Sequence, residues 1–347
     1  MFNRLRTVVI ALIIFSFAAQ AGEALAGTVL QGAGATFPYP LYQKWFKDYA
    51  AVDPEVSFSY QPVGSGAGIK HIMAGSVDFG ATDKFLSDAE LKAAPARLLH
   101  IPTVLGAVAV TYNIPGVAAG LKLTPQLLGE IFLGKLTSWG DPRLARLNPG
   151  VRLPDARIVV VHRSDASGTT SIFTDYLSQV SPVWAAQVGT GTSVNWPVGP
   201  GGKGSSEVVQ QIVANPYSIG YVEIAYVLDN NLCDAALKNR GGKFVRPTAL
   251  ATRAAAVSGM KKVKGDYRVS LVDQPGKDAY PIVGLTWLLV YQQQKDAEKA
   301  QKLVQFLTWE LTQAEKMTST LFYTPLPKKL ADLVQKEIGK IGVGGMR

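Results

Sequence analysis

Three times in this chain an apolar, strand-like run gives way to a turn of small residues and then to a helical pattern. The most polar of these turns is Arg163-Ser164-Asp165-Ala166-Ser167-Gly168-Thr169-Thr170. It follows Ile158-Val159-Val160-Val161 and precedes helix-spaced Ile172, Phe173, Tyr176 and Leu177. Gly32-Ala33-Gly34-Ala35-Thr36-Phe37-Pro38 leads into Leu41, Trp45, Phe46 and Tyr49. Gly64-Ser65-Gly66-Ala67-Gly68 follows the alternating run Val56 to Tyr60 and leads into Ile69, Ile72 and Met73. Such junctions restrict the fold, because the first amides of a helix lack intrahelical acceptors and here project beyond the end of a strand. The helix dipole adds partial positive charge at that point, and glycine lets a ligand approach the backbone. Thr36, Ser65, Ser167, Thr169 and Thr170 supply hydroxyls, and Arg163 supplies a planar fork. Ordinary N-caps use the same residue types, so one such turn is weak. Three of one kind point to an anion site.

Strand-like runs at 28–30, 56–60, 77–80, 101–112, 158–162, 219–222 and 281–290 alternate with helical patterns. The helical patterns lie at 38–50, 68–75, 88–94, 124–133, 171–180, 205–214, 296–313 and 327–338. This alternation predicts an α/β protein with mostly parallel sheets and a ligand beyond the strands' carboxyl ends. A chain of 347 residues can bury a real core and divide into two lobes. With 47% hydrophobic and 18% charged residues it is not a disordered chain. Residues 1–26 read as a cleavable export signal: Asn3-Arg4-Leu5-Arg6, an apolar Val8 to Phe17, then Ala24-Leu25-Ala26, with a rival cut after Ala21. No cysteine is near the cleavage position, which excludes a lipid anchor there. Later apolar runs are broken by Pro102, Gly106 and Pro115 or are too short to span a membrane. The lone Cys233 excludes an intrachain disulfide and reads as a small buried hydrophobe. The formal charge of +9 comes from scattered lysines and arginines, which is mild steering of anions and not a nucleic-acid footprint.

Val77-Asp78-Phe79-Gly80-Ala81-Thr82-Asp83 adds a carboxylate, which an anion site wants only if the anion has a proton to share. With this stretch the chain resembles the periplasmic phosphate-binding proteins of ABC-type phosphate importers. The matching segments are GAGATFPYPLYQKW (32–45), GSGAGIK (64–70), VDFGATD (77–83), IPTVLGAVAVTYNIPG (101–116), IFLGKLTSW (131–139), RSDASGTT (163–170), VGTGTSVNWPVGPGGKG (188–204) and SIGYVE (218–223). The resemblance implies a two-lobed periplasmic binding protein fold of type II-like kind. Each lobe is then a mixed sheet flanked by helices, with the ligand in the cleft between them. Lobe I would be 27–108 plus 284–347 and lobe II 109–283, with crossings near 106–113 and 280–286. It further implies that phosphate is held without water by Thr36, Phe37 (through its backbone N–H), Ser65, Asp83, Arg163, Ser167, Gly168 and Thr169, with Asp165 orienting the arginine. The implied partners are inorganic phosphate and an importer made of a permease pair and a cytoplasmic ATPase. The implied protein is a periplasmic monomer with no cofactor and no enzymatic activity. Two departures are visible: GSGAG stands where relatives often have two serines, and His162 stands where some have arginine.

Rival readings are weaker. Gly199-Pro200-Gly201-Gly202-Lys203-Gly204-Ser205-Ser206 is not a phosphate-binding P-loop, because Gly204 separates Lys203 from the serine. It reads as a flexible loop at the cleft rim with Ser205 capping the next helix. His71, His100 and His162 are not at metal-ligand spacing, and His162 reads as a plain strand residue. A serine hydrolase built on Ser167 lacks Gly-x-Ser-x-Gly and a visible base, and a phosphatase lacks a metal pair. A binder of sulfate, molybdate or a phosphorylated compound is the remaining alternative, and Asp83 is the residue that discriminates between the readings.

Overall fold

In chain order the elements of the computed structural model are β1 (Thr28–Gly34), α1 (Tyr39–Tyr49), β2 (Val56–Gln61), α2 (Ser65–Met73), β3 (Phe79–Thr82), α3 (Asp88–Lys92), β4 (Leu98–Asn113), β5 (Lys122–Leu123), α4 (Pro125–Phe132), α5 (Pro142–Leu147), β6 (Val159–Val160) and β7 (His162–Arg163). There follow α6 (Gly168–Val180), α7 (Pro182–Gln187), β8 (Gly201–Gly202), α8 (Gly204–Ala214), β9 (Ser218–Glu223), α9 (Ile224–Asp229), β10 (Cys233–Asp234), β11 (Ala236–Lys238), β12 (Phe244–Val245), α10 (Ala249–Met260), β13 (Val283–Tyr291), β14 (Gln293–Gln294), α11 (Ala297–Thr318), α12 (Lys328–Ile338) and β15 (Gly342–Val343). Residues 27–261, 267–318 and 322–343 are described; the expected export signal, with both of its cleavage positions, lies outside them. Among the described residues no helix is long and apolar enough to cross a membrane.

The main sheet runs β2-β1-β3-β13-β4-β9-β6, with β10 also on β4. β1 pairs in parallel with β2 and β3, and β6 with β9. The two central strands, β4 and β13, are antiparallel to each other and to their outer neighbours. The expectation of mostly parallel sheets therefore fails, and the sheet is mixed. The reason is that β4 and β13 are covered on both sides, so both read as unbroken apolar runs, the pattern also given by buried parallel strands.

β4 spans 16 residues and changes partner along its length. Leu98 to Ala107 pair with β13, and Val108 to Asn113 pair with β9. It thus belongs to two groups of elements. Around β1–β3 gather α1, α2, α11 and α12. Around β9 and β6 gather α4, α6 and α8. Pro102 brings no N–H to the ladder, and here the β4/β13 register slips: Thr286 faces Val104, Trp287 faces Pro102, and Thr103 is left bulged. A bulge beside proline turns side chains off the regular alternation.

Sequence spacing accounts for the buried faces. α1 turns Leu41, Tyr42, Trp45 and Tyr49 inward. There Phe46 stacks on Phe58 with ring centroids 4.3 Å apart, and Phe306 of α11 closes on both. In the other group Phe173 of α6 stacks on Tyr221 at 4.3 Å and meets Phe132 of α4 edge-on. Cys233 is half-buried, its Sγ 3.6 Å from Val117 O, rather than fully buried as expected, because β10 is a short outer strand.

One core residue works against stability. Glu310 of α11 is fully buried, and among the described residues neither carboxyl oxygen has a hydrogen-bond partner. Burial pushes its carboxyl well above the ordinary range, so it folds as the neutral acid. Between the unfolded value and that raised value the folded state holds the extra proton, so this group's contribution to stability falls as pH rises. Glu310→Leu is expected to raise stability by about 1–3 kcal/mol at neutral pH, the usual cost of an unsatisfied buried polar group. The gain should shrink toward pH 4. Thermal unfolding of both proteins across that range checks this, and a lower melting temperature for Glu310→Leu at neutral pH would refute it.

Candidate functional site

The three junctions and the end of β3 converge where the two groups of elements meet. After β1 the chain turns through Gly34 (φ 142°) into Ala35-Thr36-Phe37. Three tyrosine hydroxyls hold this turn by its carbonyls: Tyr60 donates to Ala35 O at 2.7 Å, Tyr226 to Thr36 O at 2.6 Å and Tyr323 to Phe37 O at 2.7 Å. In a planar trans peptide the N–H points opposite to the C=O. Fixing the Thr36 carbonyl on Tyr226 therefore aims the Phe37 N–H the other way, and among the described residues no protein acceptor takes it.

The helix starts differ slightly from expectation. α2 begins at Ser65, not near residue 68, because Gly64 (φ 95°) supplies the turn as its N-cap. α6 begins at Gly168, with Ser167 as N-cap; the Ser167 Oγ accepts the Thr170 N–H at 3.1 Å. That bond uses a lone pair and leaves the Ser167 proton free to be donated. The Gly168 and Thr169 N–H groups are the first two of the helix and have no intrahelical acceptor.

Arg163 ends β7, buried. Its Nε and one terminal nitrogen bond the two oxygens of Asp165 at 2.7 and 2.6 Å. The other terminal nitrogen lies 3.5 Å from Thr169 Oγ1 and 3.4 Å from Ser205 Oγ. Burial works against ionisation of Asp165, but the Arg163 hydrogen bonds and charge, with the Gly204 N–H at 3.0 Å, outweigh it and hold the carboxyl below the usual range. The fork is thus clamped on one edge and open on the other.

Asp83, just past β3, is buried. Its Oδ1 accepts the Thr286 hydroxyl at 2.8 Å. Its Oδ2 accepts the Ser65 hydroxyl at 3.3 Å, and the Ser65 Oγ in turn accepts the Asp83 N–H at 3.1 Å. Burial pushes this carboxyl up to about 7; the Thr286 bond, the Arg163 charge and the Ser65 bond pull the other way, and the Asp165 charge adds to the rise. Across the cleft, a Cβ on Gly168 would stand 2.6 Å from Asp83 Cβ and 2.7 Å from Oδ2, so only glycine lets α6 approach this closely. The two sides also touch through the Gly66 N–H, which donates to Ala166 O at 2.8 Å, and through Thr36 Oγ1 and Ser205 Oγ, 3.0 Å apart.

Thr36, Phe37, Ser65, Asp83, Arg163, Ser167, Gly168 and Thr169 therefore lie together, with Asp165 behind the arginine. Sequence reasoning missed Ser205. It does not cap α8, whose N-cap is Lys203, but sits in the first turn, buried between Thr36 and Arg163. The strand–Gly-rich turn–helix pattern seen three times elsewhere was its signal. Thr286 and the three tyrosines were missed too. His162 lies in β7 as expected, its ring stacked on Trp196 and its nitrogens each 3.0 Å from a backbone carbonyl oxygen. Among the described residues no group of three or more His, Cys, Asp or Glu could hold a metal ion. The arrangement offers many donors, one guanidinium and a single carboxylate acceptor, which fits a small oxyanion that carries a proton.

A family model described as a PBP superfamily domain matches residues 19–312. The chain is 40% identical over 309 residues to the phosphate-binding protein PstS of Pasteurella multocida, covering 89% of each. It is 41% identical to the phosphate-binding protein PstS of Methanocaldococcus jannaschii, covering 88% of this chain and 84% of that one. Among solved structures, a high-affinity periplasmic phosphate-binding protein bound with phosphate superposes with a TM-score of 0.70 at 22% identity, over 92% of this chain and 100% of that one. A phosphate-binding protein from Stenotrophomonas maltophilia gives 0.68 at 21% identity, over 89% and 94%.

Proposed function

We infer that this chain, which belongs to the PBP superfamily and to its PstS phosphate-binding proteins, holds one inorganic phosphate in the periplasm and hands it to an ABC importer. The observation that carries this is the pairing of a donor-rich cradle with one acceptor, Asp83 Oδ2, between two groups of elements. Thr36, Ser167 and Thr169 give hydroxyl protons, Ser65 gives its own by turning it from Asp83 Oδ2 to the ligand, and Phe37, Gly168 and Thr169 give N–H groups. The open edge of Arg163 gives a charge-assisted bond, and Asp83 takes the phosphate proton. Asp165 keeps the fork in place. Formal charge alone would not hold the anion, since Asp165 already answers Arg163; aligned amides and hydroxyls do most of it. The partner exchange of β4 at Ala107/Val108 and the start of β13 at Val283 support lobes at 27–108 plus 284–347 and at 109–283. Residues 1–26 would be removed on export. Phosphate binding without turnover fits the Ser167 hydroxyl, whose oxygen is engaged by the Thr170 amide, and His162, whose two ring nitrogens each lie 3.0 Å from a backbone carbonyl oxygen.

Calorimetric titration of the refolded, ligand-stripped protein should show one phosphate bound at micromolar affinity or better, about −8 kcal/mol. Arsenate should compete and sulfate should not. Release of phosphate from a phosphomonoester, abolished by Ser167→Ala, would replace this reading with a hydrolase. A ligand bridging two lobes stabilises the closed form by its differential affinity for it. Small-angle scattering should therefore show compaction on adding phosphate, and melting should rise with phosphate concentration. A scattering curve unchanged at saturation would contradict the clamp.

A further inference from the structure

We infer that Thr286 determines specificity by position: it gives its one hydroxyl proton to Asp83 Oδ1 and so reserves Oδ2 for the ligand. The inference rests on the phosphate reading above and adds a residue that the resemblance does not include.

The geometry is asymmetric. Oδ1 is satisfied by Thr286 Oγ1 at 2.8 Å, while the next acceptor within reach of that hydroxyl, Thr82 O, is 3.3 Å away. Oδ2 faces Gly168 across the cleft, and its partner there is the longer 3.3 Å bond from the Ser65 hydroxyl, which gives way when that hydroxyl turns to the ligand. Thr286 is aimed at this spot by the bulge opposite Pro102 and Thr103, in the strand that runs between the two lobes. Behind it the hydroxyls continue: Thr103 Oγ1 reaches Thr286 O at 3.5 Å and Tyr42 OH at 2.9 Å. An unfilled Oδ1 would be a second acceptor for the ligand proton and, buried, would favour the protonated acid. A protonated Asp83 can itself donate, and a site that donates everywhere no longer refuses an anion without a proton. The charged and titratable groups around Asp83 are Arg163 and Asp165 from the opposite lobe and Tyr42, Tyr60 and Tyr323 on its own side. Thr286 is the partner that most favours its ionised form.

The test is competition titration of phosphate against sulfate, from about pH 6 to pH 8, on the wild type, Thr286→Val, Thr286→Ala and Thr286→Ser. One lost hydrogen bond to a charged group should lower the phosphate/sulfate preference of Thr286→Val by about tenfold at pH 8. It should also move the pH below which sulfate is admitted upward, and Thr286→Ser should keep both. Thr286→Ala should repeat the valine result if valine perturbs folding. Equal weakening toward both anions with an unmoved pH dependence would mean that Thr286 only braces the strand, and the inference fails. A wild type that takes sulfate as well as phosphate would overturn the phosphate reading itself. A wild type that discriminates beside an equally discriminating, folded Thr286→Val would overturn this inference alone.

Discussion

Arg163→Ala is expected to cost about 2–5 kcal/mol of phosphate affinity, a weakening of roughly thirty- to several-thousand-fold. Arg163 is the one cation in the cradle and is buried, so its charge is poorly screened by solvent. Removing it does more than delete a contact. Asp165 loses the guanidinium that held its carboxyl below the usual range and keeps the Gly204 N–H, so a carboxylate with no cation beside it is left close to the anion. Arg163→Lys should recover only part of the loss. A single ammonium cannot bridge both Asp165 oxygens and still present a free edge to Thr169, Ser205 and the ligand. Adding Asp165→Asn to Arg163→Ala should restore some affinity by removing the uncompensated charge. Calorimetric titration of the three variants, with circular dichroism to confirm folding, checks the series. Near-wild-type affinity in Arg163→Ala would show that the anion sits elsewhere.

The second large effect is on selectivity. An ionised Asp83 facing a fully ionised oxyanion is repelled by roughly 4 kcal/mol at 4 Å in an effective dielectric near 20. Phosphate at neutral pH keeps a proton to give to Oδ2, and sulfate does not. Asp83→Asn removes the charge and keeps the shape, so sulfate should be admitted and the phosphate/sulfate preference should narrow by at least about tenfold, or 1.4 kcal/mol. Burial places the Asp83 carboxyl at about 7, which makes the wild-type preference depend on pH. Above that value Asp83 is ionised and refuses sulfate; below it the acid carries its own proton and can donate to sulfate. The preference should therefore fall as pH is lowered from about 8 to 6 in the wild type and stay nearly flat in Asp83→Asn. Selectivity that is flat with pH in the wild type, or unchanged in Asp83→Asn, would take Asp83 out of the discrimination.

Most of the cradle was legible because helix starts write themselves into sequence. Glycine, serine and threonine after an apolar run mark both a cap and an anion-facing amide, and the three junctions carry that mark. Ser205 carried it too, but Lys203-Gly204 drew comparison with a nucleotide loop. Thr286 sits inside the run Val283 to Tyr291, whose apolar neighbours say only that the strand is buried. What it touches depends on a register slip set by Pro102, nearly two hundred residues earlier, which no local pattern records. Strand direction was illegible for the same reason. Only Glu223 separates the apolar residues of β9 from those of α9, which leaves that helix start unmarked, and α10 is alanine-rich without a clear polar face. Two-residue strands such as β5 and β8 exist only because of the partner they meet.

The return of β13 has a consequence for the order in which the molecule can be completed. Thr286 reaches Thr82 across 204 residues of sequence, whereas the far end of β4 finds β9 after little more than half that length. The long closure carries the larger entropic cost and forms the slower contact. A chain emerging from its amino terminus therefore makes β1–β3 first and finishes them last. Until residue 283 and its successors arrive, β3 stands as an open edge with no partner on one side. The first part of the protein to be made is the part most exposed to mispairing on its way to the folded state.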